Sequence, residues 1–260
     1  MEGLWLAALS GLIGGGTLLV GATVAWYVDI PQRVVAGIMA VGAGVLISTL
    51  AFELVEEAAE DGGLLPTTVG FLGGAVLYIV ADQLLSRRSR PAQAPTPTRD
   101  GTPANIAARR AGTRIAGGAG LVIAVGALID GIPESLVMGL SVLQGGISIP
   151  IVAAIAISNF PEGLGSTAAL KRGGSSGRFV ALLWGGIALI TVVAAVLGYV
   201  AFQSATPNLI ALITTIAAGG LLAMVCNTMI PEAFDEQHAL TGLWATIGFL
   251  AAFLLHELAG

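Results

Sequence analysis

ALIDGIPESLVMGL, residues 127–140, sets Asp130 and Glu134 on either side of a proline inside an apolar run. A second stretch, AIAISNFPEGLGS (154–166), answers it with Ser158, Asn159, Pro161 and Glu162. Neither run contains Lys or Arg. A carboxylate at bilayer depth costs about 2.5–3.5 kcal/mol on insertion scales. With no basic side chain in either run, these acids call for a cation or a proton. Asp130 and Glu134 are four apart, so they share a helical face. Ser158 and Asn159 precede Glu162 by four and three positions and share a face with it in the same way. Pro133 has no N–H, which frees the carbonyl of Ile129, and Pro161 frees that of Ile157. In lipid such a carbonyl must be met by protein, water or an ion. Each helix thus offers acids, a polar neighbour and a loose carbonyl at one depth. Together they form an oxygen-rich cage for a divalent cation. The expected ligands are Glu134 and Glu162, with Asp130, Asn159 and Ser158 completing the shell.

The rest of the chain reads as the membrane scaffold for these two runs. Of 260 residues, 55% are hydrophobic and 10% charged, where a soluble domain carries about a quarter charged. A helical span needs roughly 20 apolar residues. Eight runs qualify, near 4–26, 34–56, 67–85, 115–143, 148–170, 179–203, 208–230 and 241–259. They are continuous rather than alternating, which excludes a barrel. The expected fold is all-α, a single polytopic domain (1–260) of eight transmembrane helices. The first run lacks a basic n-region and is too long for a signal peptide, so it is read as a span. The one cysteine, Cys226, excludes an intrachain disulfide and reads as a small buried hydrophobe. Net charge −5 leaves no basic footprint for nucleic acid.

All 11 basic residues fall in or beside the connections after spans 1, 3 and 5. Those connections share one side of an eight-span protein. The positive-inside rule makes that side the cytoplasm. Both termini and the acidic 56–61 segment then face outward, in an inner or plasma membrane. The segment 86–114 is rich in Pro, Arg and Thr and reads as a flexible cytoplasmic linker. It holds no His or Cys, so a metal-sensing role is not expected of it.

Spans 2–3 resemble spans 7–8. Ala43-Gly44-Val45-Leu46 through Val55-Glu56-Glu57-Ala58 matches Ala218-Gly219-Gly220-Leu221 through Ile230-Pro231-Glu232-Ala233, and Val69-Gly70-Phe71-Leu72 matches Ile247-Gly248-Phe249-Leu250. Span 7 lies an odd number of spans after span 2, so the copies run in opposite directions. This predicts an inverted repeat of three-helix units around central spans 4 and 5, an arrangement common in secondary transporters.

These residues resemble the ZIP (Zrt/Irt-like) family of divalent metal transporters. That family shows His-Asn-x-Pro-Glu-Gly in span 4, a related motif in span 5, and a variable cytoplasmic loop after span 3. The resemblance covers nearly the whole chain and is most specific in spans 4, 5 and 7, where Ile230-Pro231-Glu232-Ala233 fits. It implies metal movement toward the cytoplasm, a metal site between spans 4 and 5, and commonly a homodimer. It also implies a bundle of spans 1, 4, 5 and 6 moving against the rest. The departures are chemical. The family histidine is Asp130 here and the family Asn is Gly131; Ser158 stands where His or Gln is common. Thr191 occupies a span 6 position where many members carry Glu, and Asn227 and Thr228 stand where acids or His are frequent in span 7. A second neighbouring metal site is therefore in doubt. An oxygen-only site suits Mn²⁺ and its hard relatives better than Zn²⁺, which favours Cys and His.

Other polar residues have ordinary roles. Glu53, Glu56, Glu57 and Glu60 form either a cation-attracting vestibule or a solvated helix end. Asp82 is placed to pair with Arg87 or Arg88, and Asp29 reads as solvated. Asp235, Glu236 and His238 read as a hydrated loop. His256 reads as a helix-packing hydrogen bond, and Met39, Met138 and Met224 as packing. The expected function is transport of a zinc-, iron- or manganese-class cation, with the metal as cargo, no prosthetic group and no enzymatic activity. The rivals are a non-transporting metal sensor or scaffold, and an intramembrane hydrolase. Against the hydrolase, both acids sit in near-identical settings, whereas enzymes push such pairs apart.

Overall fold

A computed structural model describes residues 2–88 and 119–259. Among the described residues the chain is helical throughout, with no strand. Eight helices are long and apolar enough to cross a membrane. They are α1 (Glu2–Tyr27), α2 (Gln32–Gly62), α3 (Leu64–Arg88), α4 (Ala119–Gln144), α5 (Ile149–Arg172), α6 (Gly177–Ala201), α7 (Pro207–Asp235) and α8 (Thr241–Ala259). The chain thus has the character of a multi-pass membrane protein. Two helices outrun their apolar runs. α2 continues past residue 56 to Gly62 and α7 past residue 230 to Asp235. The Glu and Ala residues in these extensions are good helix formers that need no lipid. α3 extends to Arg88, three residues into the segment read as linker; the remainder of 86–114 lies outside the described residues.

Short connections set the helix ends. Gly63, at φ 85°, alone joins α2 to α3, a left-handed conformation that glycine adopts without steric cost. Ser148 and Ser176 cap α5 and α6 by accepting from the backbone N–H of Ile151 and Phe179, each at 3.3 Å. Successive helices alternate in direction. One end of the bundle gathers Glu56, Glu57, Glu60, Asp61 and Glu257; the other gathers Arg33, Lys171, Arg172 and Arg178. We refer to these as the acidic end and the basic end.

Packing divides the helices into two sets. α1 lies along α5 and α6, and α4 along α6. α2 lies along α8, and α3 along α7. Contacts of α2 with α5 and of α4 with α7 join the sets. The joint is the largest buried apolar cluster, with Leu46 and Leu50 of α2, Met138 of α4, Ile155 of α5 and Leu221 and Val225 of α7. In lipid such clusters are held by close van der Waals packing rather than by exclusion of water, which favours small residues at crossings. The α1–α5 crossing shows this from both sides. A Cβ at Gly21 would collide with the carbonyl of Phe160, and one at Gly163 with the carbonyl of Leu18.

Two helices contain π-helical stretches, Leu50–Glu56 in α2 and Val225–Met229 in α7. Such stretches are rare, wider turns that occur most often at functional positions. The second one corrects a sequence expectation. Cys226 lies within it and is exposed, not buried. The inserted residue shifts the helical phase and turns the thiol out of the packed interior. Met138 and Met224 are buried packing residues, as expected, and Met39 packs on the same cluster.

Candidate metal centre

α4 and α5 carry the proline–glutamate motifs, and both prolines lie inside continuous helix. Ser135 donates its hydroxyl proton to the carbonyl of Gly131, one turn back across Pro133. Such back-bonding bends helices and occupies a carbonyl beside the proline gap. Glu134 follows Pro133 directly and is 2% exposed, the most buried acidic side chain among the described residues. Glu162 follows Pro161 and is half-buried. Asp130 lies on the backbone of α4, but its side chain falls outside the described residues.

On α5 the two neighbours of the motif face different helices. Asn159 is buried and donates from Nδ2 to the carbonyl of Gly14 in α1, at 3.1 Å. That leaves its Oδ1 as an acceptor. Ser158 is buried against α2; its Cα would lie 3.3 Å from a Cβ added at Gly42. Its hydroxyl donates to the carbonyl of Ile155 at 3.0 Å, leaving lone pairs only. Gly14 marks where the helices converge. A Cβ there would meet Met138 Cε at 2.7 Å and Ile155 Cγ2 at 3.4 Å. Met138 is one turn beyond Glu134, and Ile155 one turn before Asn159. The structure thus brings Met138 of α4 and Asn159 of α5 to one region of α1, and sets Ser158 against α2.

The span 6 departure has a structural consequence. Thr191 is 2% exposed, and its hydroxyl donates to the carbonyl of Ala188 at 2.7 Å. Its Cγ2 would lie 3.4 Å from a Cβ at Gly131. Thr191 and Gly131 together close the α4–α6 crossing. Among the described residues, no three His, Cys, Asp or Glu side chains converge as a ready-made metal shell.

Residues outside the two motifs are also engaged. His256 Nδ1 lies 2.6 Å from Glu53 Oε1, and Ser148 Oγ donates to Glu53 Oε2 at 3.1 Å. The His256 ring also stacks on Phe52, with centroids 5.7 Å apart. Glu53 is thus not simply a solvated helix end but the hub of an α2–α5–α8 joint, and it lines a cavity together with Glu57 and Asp61. The helix-packing hydrogen bond expected of His256 is present. Asp29 pairs with Lys171 at 3.1 Å while staying 96% exposed, so its solvated reading holds. The side chains of Arg87, Arg88, Glu236 and His238, on which the other readings depended, lie outside the described residues.

Sequence reasoning missed Ser148 and the π-helical stretches. Ser148 reads only as a helix cap, because its bond to Glu53 links residues 95 positions apart. No family model matches the chain, and no curated protein matches its sequence.

Proposed function

We propose that the chain is a membrane transporter of divalent transition-metal cations that moves its cargo toward the basic end by alternating access. Glu134 and Glu162 bind the ion between α4 and α5; Asp130 and the Oδ1 of Asn159 complete the shell, with Ser158 contributing least. The observation that carries this reading is the burial of Glu134, 2% exposed in an apolar helix that contains no Lys or Arg. A carboxylate buried at such depth is costly and marks a functional position by default. The resemblance to ZIP transporters supports the same assignment.

An inverted repeat supports a transporter architecture. The π-helical stretches start at Leu50 and Val225, which match each other just as Ala43 matches Ala218. Packing follows the same correspondence. Gly44 abuts Phe249, and its match Gly219 abuts Phe71, the match of Phe249. Gly248 abuts Val41, and its match Gly70 abuts Ile216, the match of Val41. α2 and α7 run in opposite directions, with Gly62 at the end of one against Pro207 at the start of the other. The separation of α1, α4, α5 and α6 from α2, α3, α7 and α8 fits one set rocking against the other. The basic end is cytoplasmic by the positive-inside rule, and the protein is read as a homodimer in a cell membrane.

Uptake of Mn²⁺, Fe²⁺ and Zn²⁺ into proteoliposomes tests the reading. Metal flux is expected from the native chain and its loss from Glu134→Gln and Glu162→Gln. Metal binding without flux would instead assign a sensor or scaffold. Unchanged flux in both variants would remove α4 and α5 from the path.

A further inference from the structure

We propose that the hydrogen bond between Ser148 and Glu53 is a latch that holds the two helix sets together at the acidic end, and that its release lets α5 part from α2 there. The inference rests on the rocking of one set against the other proposed above, and names a contact that governs it. Ser148 ends the connection from α4 to α5 and moves with α5, in the set of α1, α4, α5 and α6. Glu53 lies on α2, in the other set. Ser148 Oγ donates to Glu53 Oε2 at 3.1 Å, so this bond crosses from set to set. By contrast, Asn159 holds Gly14, Thr191 holds Gly11 and Trp184 holds Thr167 inside the first set. Tyr78 meets Thr228 inside the second. At the basic end, Lys171 reaches Asp29 in the α1–α2 connection, but Asp29 is 96% exposed and the pair is open to water.

Both halves of the latch are built to survive its opening. Glu53 is anchored in its own set by His256 Nδ1 at 2.6 Å, and the His256 ring stacks on Phe52, which also meets Phe253. When α5 leaves, the carboxylate keeps a partner. Ser148 Oγ accepts from the N–H of Ile151 at 3.3 Å, so it caps α5 whether or not its own proton reaches Glu53. The bond can therefore break without orphaning a charge or fraying a helix. A fulcrum lies deeper in the bundle. A Cβ at Gly42 of α2 would stand 3.3 Å from Ser158 Cα and 3.4 Å from the carbonyl of Ile157, a close backbone approach of α2 to α5. Ser158 is ten residues beyond Ser148, or ~15 Å at 1.5 Å per residue, which gives the latch an arm to act through. A hydrogen bond to a carboxylate shifts a two-state equilibrium by about tenfold or more. That biases the sets toward contact and still leaves the open state within reach.

Distances between spin labels, measured by double electron–electron resonance on the full chain in lipid nanodiscs, test the proposal. The labels go on Leu64→Cys of α3 and Val200→Cys of α6, exposed positions at the acidic end of the two sets, in a Cys226→Ala background. Ser148→Asp keeps the cap, because aspartate caps a helix as well as serine does, and sets a like charge against Glu53. At mildly alkaline pH it is expected to raise the ratio of longer to shorter separations about tenfold. Ser148→Gly, which caps nearly as well and only removes the donor, should move the ratio the same way. Ser148→Thr, which keeps the hydroxyl, should match the native chain. Unchanged distances in folded Ser148→Asp or Ser148→Gly would overturn the latch, and so would an equal shift in Ser148→Thr. The measurement needs neither metal nor flux. A chain that transports metal but shows no shift loses the latch alone; one that shows the shift but carries no metal keeps the latch and loses the transporter reading.

Discussion

His256 Nδ1 meets Glu53 Oε1 at 2.6 Å, joining the last turns of α8 to the π-helical stretch of α2. The glutamate's second oxygen accepts a hydrogen bond from Ser148, the residue that caps α5. One carboxylate therefore ties three helices at the acidic end. Hydrogen bonds to ionised groups are shorter and stronger than neutral ones. Removing one partner of a largely buried charge costs more than the bond itself, about 1–3 kcal/mol. His256→Ala should lower the melting temperature of the protein in detergent. His256→Gln, which keeps a donor, should recover part of the loss. A double-mutant cycle with Glu53→Gln should show coupling; additivity would mean the contact contributes nothing.

Asn159 has two roles that substitution can separate. Its Nδ2 holds α1 through the carbonyl of Gly14, at 3.1 Å, and its Oδ1 is the atom that the proposed site would offer to metal. Interhelical bonds of this kind average about 0.6 kcal/mol and reach about 1.7 in membrane proteins. Asn159→Asp keeps an oxygen but loses the donor. It should reduce thermal stability slightly while leaving metal binding measurable by calorimetry. Asn159→Leu should weaken both.

How far the sequence reveals this molecule depends on the range of the signal. The eight helices were legible because each is a local property, a run of apolar residues bounded by charge, Pro or Gly. Burial of Glu134 and Asn159 was legible because each lies in an apolar helical run. The different directions of Ser158 and Asn159 were not, since adjacent residues point about 100° apart and only tertiary packing says which neighbour each meets. The exposure of Cys226 failed for a related reason. A π-helical stretch shifts the phase of everything after it, and no side chain in Val225–Met229 announces the extra residue. The pairing of Glu53 was not legible because its partners, Ser148 and His256, come from elsewhere in the chain. The proposed site between α4 and α5 thus rests on sequence for its residues and on the fold for the company they keep.

The α1–α5 crossing is built for backbone contact and should not tolerate side chains. Gly163→Val would drive a branched side chain into the carbonyl of Leu18. Overpacking typically costs 1–3 kcal/mol and sometimes more, and here the obstacle is backbone, which cannot rotate aside. Gly163→Val should melt well below the native chain or fail to accumulate. Gly73→Ala, where a Cβ meets nothing within 4 Å, should be neutral. Equal melting temperatures for the two variants would contradict the crossing.

The selectivity of the proposed centre should follow from its lack of imidazole. Zn²⁺ prefers nitrogen and sulfur, whereas carboxylate and carbonyl oxygens suit Mn²⁺. Competition uptake in proteoliposomes should show less preference for Zn²⁺ over Mn²⁺ and Fe²⁺ than an imidazole-bearing site would give. Asp130→His should move the ratio toward Zn²⁺ by tenfold or more. Strong Zn²⁺ preference in the native chain, retained in Asp130→Ala, would rule out the oxygen-only account.

Protons should compete with the metal. The proposed ligands bind a cation only when ionised, so every proton taken up by Glu134, Glu162 or Asp130 removes ligand charge, and metal binding must release protons. Affinity is therefore highest where the carboxylates are ionised and falls as the medium is acidified through their titration. Calorimetric titration with Mn²⁺ in two buffers of different ionisation enthalpy should reveal proton release on binding at acidic pH that shrinks toward neutrality. The Glu134→Gln variant should release fewer protons at the same pH. Equal affinity at acidic and neutral pH, with no protons released, would mean that these carboxylates do not hold the ion.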